Sequence, residues 1–176
     1  MVKILLLVAL CAGPVYAQQS STDALTAAGC GSENVEFQAT RDKNAHPTPT
    51  PDPGKALVFL IGNTRGDTGV GVGKAVTRIG IDGQWVAANA LGAYVSFAVE
   101  PGDHRLCINY QTVIKRQGHY FTAKSFTAVA GQTYYFRTRD AANPSPGQSV
   151  ILQAMDPAEA LVLIAKTGHS TFTQKK

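Results

Sequence analysis

The stretch from Ala75 to Tyr110 reads AVTRIGIDGQWVAANALGAYVSFAVEPGDHRLCINY, a series of β-type runs cut apart by Asp82-Gly83, Leu91-Gly92 and Pro101-Gly102-Asp103. From Ala93 to Glu100, Ala93, Val95, Phe97 and Val99 fall on one face and Tyr94, Ser96, Ala98 and Glu100 on the other. That period of two marks a half-buried strand. Leu106, Ile108 and Tyr110 form the apolar face of the next strand, with Arg105, Cys107 and Asn109 opposite. The Pro101-Gly102-Asp103 turn between them predicts an antiparallel pair. Upstream, Ile79 and Ile81 run into Asp82-Gly83, a dipeptide that accepts the positive φ angles of a two-residue hairpin, before Trp85 and Val86. The register of that hairpin is open, because direct pairing puts Ile81 and Gln84 on one face.

Outward from this meander, Lys55 to Ile61, KALVFLI, is a continuous apolar run of strand length and predicts the first central strand. Downstream, Phe121 to Val129 and Gln132 to Arg139 are two more strands joined through Ala130-Gly131. Pairing them as a hairpin sets Lys124 opposite Arg137 and Phe126 opposite Tyr135 on one face, with Arg139 beyond. This basic and aromatic face is a candidate ligand surface for an anion such as a cell-wall polymer, lipid headgroup or nucleic acid. Long side chains splayed into water and satisfied by Asp140 or Glu100 explain the same residues more simply. Ala141 to Gly147 reads as a loop and Val150 to Ala154 as a short strand. Asp156 then caps a helix with Pro157 at its first position and Glu159 in its first turn; Leu161, Val162, Ile164 and Ala165 supply its apolar surface. Gly168 ends it, and His169 to Lys176 is expected as a frayed polar tail.

Residues 1 to 17 have the pattern of a secretory signal, with Lys3, the apolar run Ile4 to Leu10 and the small-residue site Val15-Tyr16-Ala17. The run is too short to span a bilayer, so an integral membrane protein is not expected. A lipid anchor at Cys11 or Cys30 fits poorly, since Leu10 is too large and Gln18 to Asp23 is polar. Without the signal the chain is of one-domain size and keeps 15 basic against 12 acidic residues, an excess too mild for a nucleic-acid binder. Export also decides how the cysteines are read. Cys30 and Cys107 remain as an even pair in an oxidising compartment, and a disulfide between them is preferred over two separate buried thiols. Cys107 alternates with the core residues Leu106 and Ile108, so something must cover it, and the segment from Cys30 to Gln38 is the natural arm. Arg41 to Gly54, with four prolines, reads as the linker from that arm to the domain.

The residues for chemistry are sparse. Asn63 to Lys74, NTRGDTGVGVGK, places glycines before a lysine, but a phosphate loop needs glycine where Thr68 stands and Ser or Thr where Ala75 stands. Lys74 also occupies the position of the third glycine in a dinucleotide fingerprint. His46, His104, His119 and His169 lie in the linker, a turn, a loop and the tail, with no pair at ligand spacing, and no carboxylates pair. No metal or cofactor is expected.

KALVFLI, then RIGIDGQWVAANALGAYVSFAVEPGDHRL, then FTAVAGQTYYFRTR together resemble the bacterial domain of unknown function numbered 2846 in its series. Ile81-Asp82-Gly83, Gly92-Ala93-Tyr94, Pro101 to His104 and Gly131 to Tyr135 carry the likeness over roughly Lys55 to Arg139. The resemblance implies an exported β-sandwich of prealbumin-like or Ig-like pattern and carries no catalytic residues. The expectation is an antiparallel sandwich of seven or eight strands over 55–155, an N-terminal arm and linker over 18–54, and a helix and tail over 156–176. The function expected first is a non-catalytic module that binds a protein partner at the cell envelope, through an open strand edge or the loop Asn63 to Lys74. A carbohydrate or small-ligand module using Trp85 and the tyrosines as platforms comes second, and an enzyme third.

Overall fold

Ala56–Ile61 is a strand in which every residue is buried, and it sets the plan of the molecule. Alternation sends Ala56, Val58 and Leu60 to one side and Leu57, Phe59 and Ile61 to the other, so both faces need cover. The computed structural model describes residues 25–62, 76–111, 121–140 and 150–176. Residues 1 to 17, read as a secretory signal, Cys11, the stretch Asn63 to Lys74, His119 and Ala141 to Gly147, read as a loop, lie outside the described residues. The described strands are β1 (Phe37–Asp42), β2 (Ala56–Ile61), β3 (Val76–Ile81), β4 (Gln84–Ala90), β5 (Ala93–Val99), β6 (Gly102–Gln111), β7 (Phe121–Ala128), β8 (Thr133–Asp140), β9 (Val150–Ala154) and β10 (Gly168–Gln174). The helix α1 (Pro157–Lys166) precedes β10.

The strands form two sheets, an all-β sandwich: six in the order β1-β10-β5-β2-β8-β9 and four in the order β4-β3-β6-β7. The core between them is built from Val58, Leu60, Ile79, Val95, Leu106, Ile108 and Phe136, with Phe97, Phe126 and Tyr134 packed against it. On the outside of the six-stranded sheet, Leu57, Phe59, Ile61 and Tyr94 pack under Ala160 and Ile164 of α1. Residues 25–33 lie over the four-stranded sheet, where Leu25, Ala28 and Cys30 meet Cys107, Trp85 and Phe121. Most pairings are antiparallel; β2 with β8 and β10 with β5 are parallel.

The Asp82-Gly83 hairpin forms as the sequence predicts, with φ of 50° and 87°. Its open register is resolved by a bulge: Ile79 pairs with Ala87 and Gly80 with Trp85, so Ile79 and Ile81 stay in the core while Trp85 turns outward. Two other expected hairpins do not form. The strands flanking Pro101-Gly102 lie in different sheets, because β5 already has β2 and β10 as neighbours and β6 pairs with β3 and β7. The strands flanking Ala130-Gly131 also separate. Gly131 N–H donates to the Lys55 carbonyl and Leu57 N–H to that of Gln132, which lays β8 alongside β2 instead of β7.

The tail is a strand. Residues 168–174 pair with β1 along its whole length, from Gly168's neighbour His169 opposite Asp42 to Gln174 opposite Phe37. Its polar side chains hid it, yet Ser170 is buried and the backbone gains a full ladder. β2 to β9 are the eight strands expected over 55–155, and β1 and β10 add two outside that range, ten among the described residues. The helix is capped as predicted, Asp156 accepting from the amides of Ala158 and Glu159. Its buried side is Ala160 and Ile164 with Leu163, whereas Leu161 and Val162 face solvent. The proline linker is pinned at three points: Tyr94 Oη donates to the Pro47 carbonyl, His46 Nδ1 to that of Ile164, and His169 N–H to that of Ala45. Burial at this junction pushes the Tyr94 hydroxyl up to about 12.

Leu60→Ala opens a cavity on the doubly covered strand and lowers unfolding stability by about 2–5 kcal/mol. Leu161→Ala, on the exposed side of α1, changes it by less than about 0.5 kcal/mol. Denaturant midpoints of the two variants, compared at equal m-value, check this assignment of faces.

Candidate functional site

Two places on the four-stranded sheet gather polar side chains, one on the outward face of β3 and β6 and one at the end of the sheet where the turns meet. In the first, Gly80 stands opposite Cys107 and Arg78 opposite Asn109, so these four share the face that the N-terminal segment covers. Cys30 and Cys107 lie at disulfide distance, with Cα atoms 5.2 Å apart and a loop of 77 residues between them. The chain-entropy model assigns such a loop roughly 4 kcal/mol as an upper figure. Next to the sulfurs, the Arg78 guanidinium stacks over Trp85 at 4.7 Å from the ring centre. Its Nη1 donates to the carbonyls of Glu33 (2.9 Å) and Val35 (2.7 Å), and Nε to Asn109 Oδ1 (2.9 Å). Only 4% of Arg78 is exposed. Burial lowers its pKa while Glu33 and Glu36 act the other way, and the guanidinium stays charged near neutrality. The Trp85 indole N–H donates to the Ser32 carbonyl at 2.7 Å. Gly31 lies so close to the ring that a Cβ there would come within 2.6 Å of Trp85 Cγ.

The second place is an open cleft of about 470 Å³ at the end of the sandwich where the short turns meet, lined by Asp82, Asp103, His104, Arg105, Ser125, Phe126 and Thr127. Its hydrogen bonds bind the turns to one another. His104 Nδ1 lies 2.6 Å from Asp82 Oδ2, and Nε2 lies 2.6 Å from the Glu100 carbonyl. Asp82 Oδ1 accepts from Arg105 N–H at 2.8 Å, and Thr127 Oγ1 donates to Asp103 Oδ1 at 2.6 Å. The Asp82 pKa is pushed up by burial, but the Arg105 amide and His104 pull it down further, so it ends below its ordinary value. Both His104 nitrogens thus face oxygens of the protein itself. Among the described residues no group of three or more His, Cys, Asp or Glu is placed to hold a metal ion.

The basic and aromatic face read from the sequence is divided among separate surfaces. Phe126 lies in the core layer against Tyr134 and Phe136. Lys124 shares its side of β7 and is exposed at the sheet border, opposite Leu106. Tyr135 stacks on Phe59 beneath α1, on the far side of the other sheet. Arg137 is buried on that same side of β8 and Arg139 is exposed. Trp85 is half-covered by the arm, so it is not a free platform. The Cys30 and Cys107 pairing is the part of the predicted site that comes together. The sequence reading missed Arg78 and the His104 and Asp82 pair. Alternation along Thr77-Arg78-Ile79 places Arg78 with Cys107 on the covered face, a signal that was present; the contact of His104 with Asp82 follows only from the sheet pairing.

No family model, curated protein or solved structure matches this chain. Among the described residues no helix is long and apolar enough to cross a membrane.

Trp85→Phe keeps a ring over Arg78 and removes the indole donor to Ser32. The expected loss is about 1 kcal/mol in unfolding stability, with faster proteolysis confined to residues 31–36. Unchanged cutting rates there would show that the arm is held without the tryptophan.

Proposed function

We propose that the chain is an exported, non-catalytic β-sandwich module of the 2846 type that binds a protein partner at the cell envelope by adding the partner's strand to β7. The observation that carries this reading is an asymmetry in the sheet borders. On one side the backbone groups of three border residues, Phe37, Ala88 and Ala90, are occupied by side chains. The Gln111 amide donates to the Phe37 carbonyl and accepts from its N–H, and Ser170 Oγ accepts from Ala90 N–H and donates to the Ala88 carbonyl. On the other side β7 ends its sheet, with no strand beyond it among the described residues. An open border of eight residues is a template for an extended segment.

Lys124 defines what can pair there. Two copies of β7 laid antiparallel bring their lysines close together, which disfavours self-association, while a strand with an acidic residue at that point gains an ion pair. Export agrees with the cysteine pair at disulfide distance. The cleft favours a second reading, a small polar ligand such as a sugar held by Asp103, Ser125 and Thr127 against Phe126.

A photo-crosslinker at Ser125, used in envelope extract, is expected to capture one protein through an extended acidic segment, and Lys124→Glu to abolish the capture. A crosslinker at Gln38 on the occupied border is expected to capture nothing. Equal capture at both positions, or capture indifferent to Lys124→Glu, overturns strand addition, and release by a competing glycan replaces it with the second reading.

A further inference from the structure

We infer that His104 is a proton-operated clasp: its doubly protonated ring fastens the β3–β4 turn to the β5–β6 crossover, and loss of one proton unfastens them. A carbonyl oxygen only accepts, so the 2.6 Å contact with Glu100 O fixes a proton on Nε2. Asp82 is a carboxylate under the same conditions and also only accepts, so the 2.6 Å contact at Nδ1 fixes the second proton there. The ring that satisfies both contacts is an imidazolium. A neutral ring keeps one donor, and its other nitrogen then turns a lone pair toward an oxygen 2.6 Å away. One of the two contacts is lost.

The clasp joins three parts of the chain that sequence separates. Asp82 sits in the turn of the β3–β4 hairpin, Glu100 directly follows β5 of the opposite sheet, and His104 belongs to β6. Beyond them, Gly83 N–H donates to the Gly29 carbonyl and Arg105 Nε to that of Ala28, so the same turn seats the N-terminal arm one residue before Cys30. Unfastening Asp82 loosens that seat and leaves the arm held there by Cys30 and by the Arg78 and Trp85 contacts. The side chain of His104 is only 12% exposed, so water replaces the lost partner poorly.

The charges around the ring favour the proton. Asp82 faces it from the hairpin turn, and Asp103 precedes it on β6 with Arg105 following. Glu100 is paired with Lys55 at the entrance to β2, at 2.9 Å. On β7 the facing residue is the neutral Phe126, at 5.7 Å between ring centres, with Lys124 two positions along. Burial lowers the His104 pKa, but the Asp82 and Glu100 hydrogen bonds and the two aspartate charges outweigh it, so the net displacement from 6.5 is upward. A raised folded value gives stability that is complete below 6.5 and is lost as pH rises through that raised value. Asp82 runs the other way: its lowered value gives stability present above 3.8 and lost as pH falls through the lowered value. The clasp is fastened between the two folded values.

The test is denaturant unfolding of the full chain across the window from about pH 5 to about pH 9, beside the ring-nitrogen titration of His104 by NMR and amide exchange at Arg105 and Gly83. The wild type is expected to lose tenfold in folding equilibrium constant for each unit by which the folded value exceeds 6.5, with faster exchange at Gly83 over the same range. His104→Gln is expected to remove this fall and leave the opposite rise toward 6.5 from His169, whose folded value burial lowers. Asp82→Asn keeps an oxygen for the Arg105 amide and the positive φ of the turn, and is expected to bring the His104 titration down while abolishing most of the pH dependence. A wild type that titrates at or below 6.5, or whose stability and Gly83 exchange follow the His104→Gln profile, overturns the clasp. Should His104→Gln fail to fold, the Asp82→Asn titration decides alone.

Discussion

One strand buried on both faces constrains nearly everything else. Ala56–Ile61 sends three apolar side chains toward the second sheet and three away from it, and leaving either trio in water would forgo several kcal/mol of burial. The inner trio calls for the four-stranded sheet. The outer trio calls for a cover that the strands cannot supply, and α1 is that cover, with the proline linker filling beside it. Since α1 lies late in the chain, the residues after it start where β5 still offers a free border, and β10 takes that place. The helix and the last strand are thus consequences of the run KALVFLI as much as of their own sequences.

How far the sequence was readable follows from which forces were local. Asp82-Gly83, Asp156-Pro157 and the apolar run of β2 each state their structure within a few residues, and each folds as read. The joins at Pro101-Gly102 and Ala130-Gly131 are turns as read, but a turn does not say which sheet its second strand enters. That choice belongs to β2, which takes β5 and β8 as neighbours and leaves β6 and β7 to pair with each other. His169 to Gln174 lacks an apolar face because β1, Ser170's contacts and the backbone ladder hold it, none of which has a hydrophobic period. The candidate surface failed for the same reason as the second hairpin: with β7 and β8 in different sheets, Lys124 and Arg137 have no shared face.

The N-terminal arm is held chiefly by polar and covalent means. Arg78 gives up water for two arm carbonyls, an asparagine oxygen and the face of Trp85, an arrangement whose net stabilisation is small beside the penalty for removing any one partner. Such contacts select one register of the arm. Sliding it by a residue would strand the guanidinium, and with Cys30 bonded to Cys107 the arm has no second place to settle.

At one border of the six-stranded sheet, β1 is paired with β10, so strands from opposite ends of the described chain lie side by side. Phe37 lies across from Gln174, and beyond them Lys175 and Glu36 form an ion pair at 2.8 Å. Tension applied between residues 36 and 175 would therefore load the ribbon's bonds in succession, as in opening a zip, instead of shearing them together. The ribbon is mechanically weak in that direction. Tension applied upstream of Cys30 takes another route, passing through sulfur into β6 and sparing the ribbon. Where a tether joins this protein, before or after residue 30, decides whether pulling on it disturbs the fold.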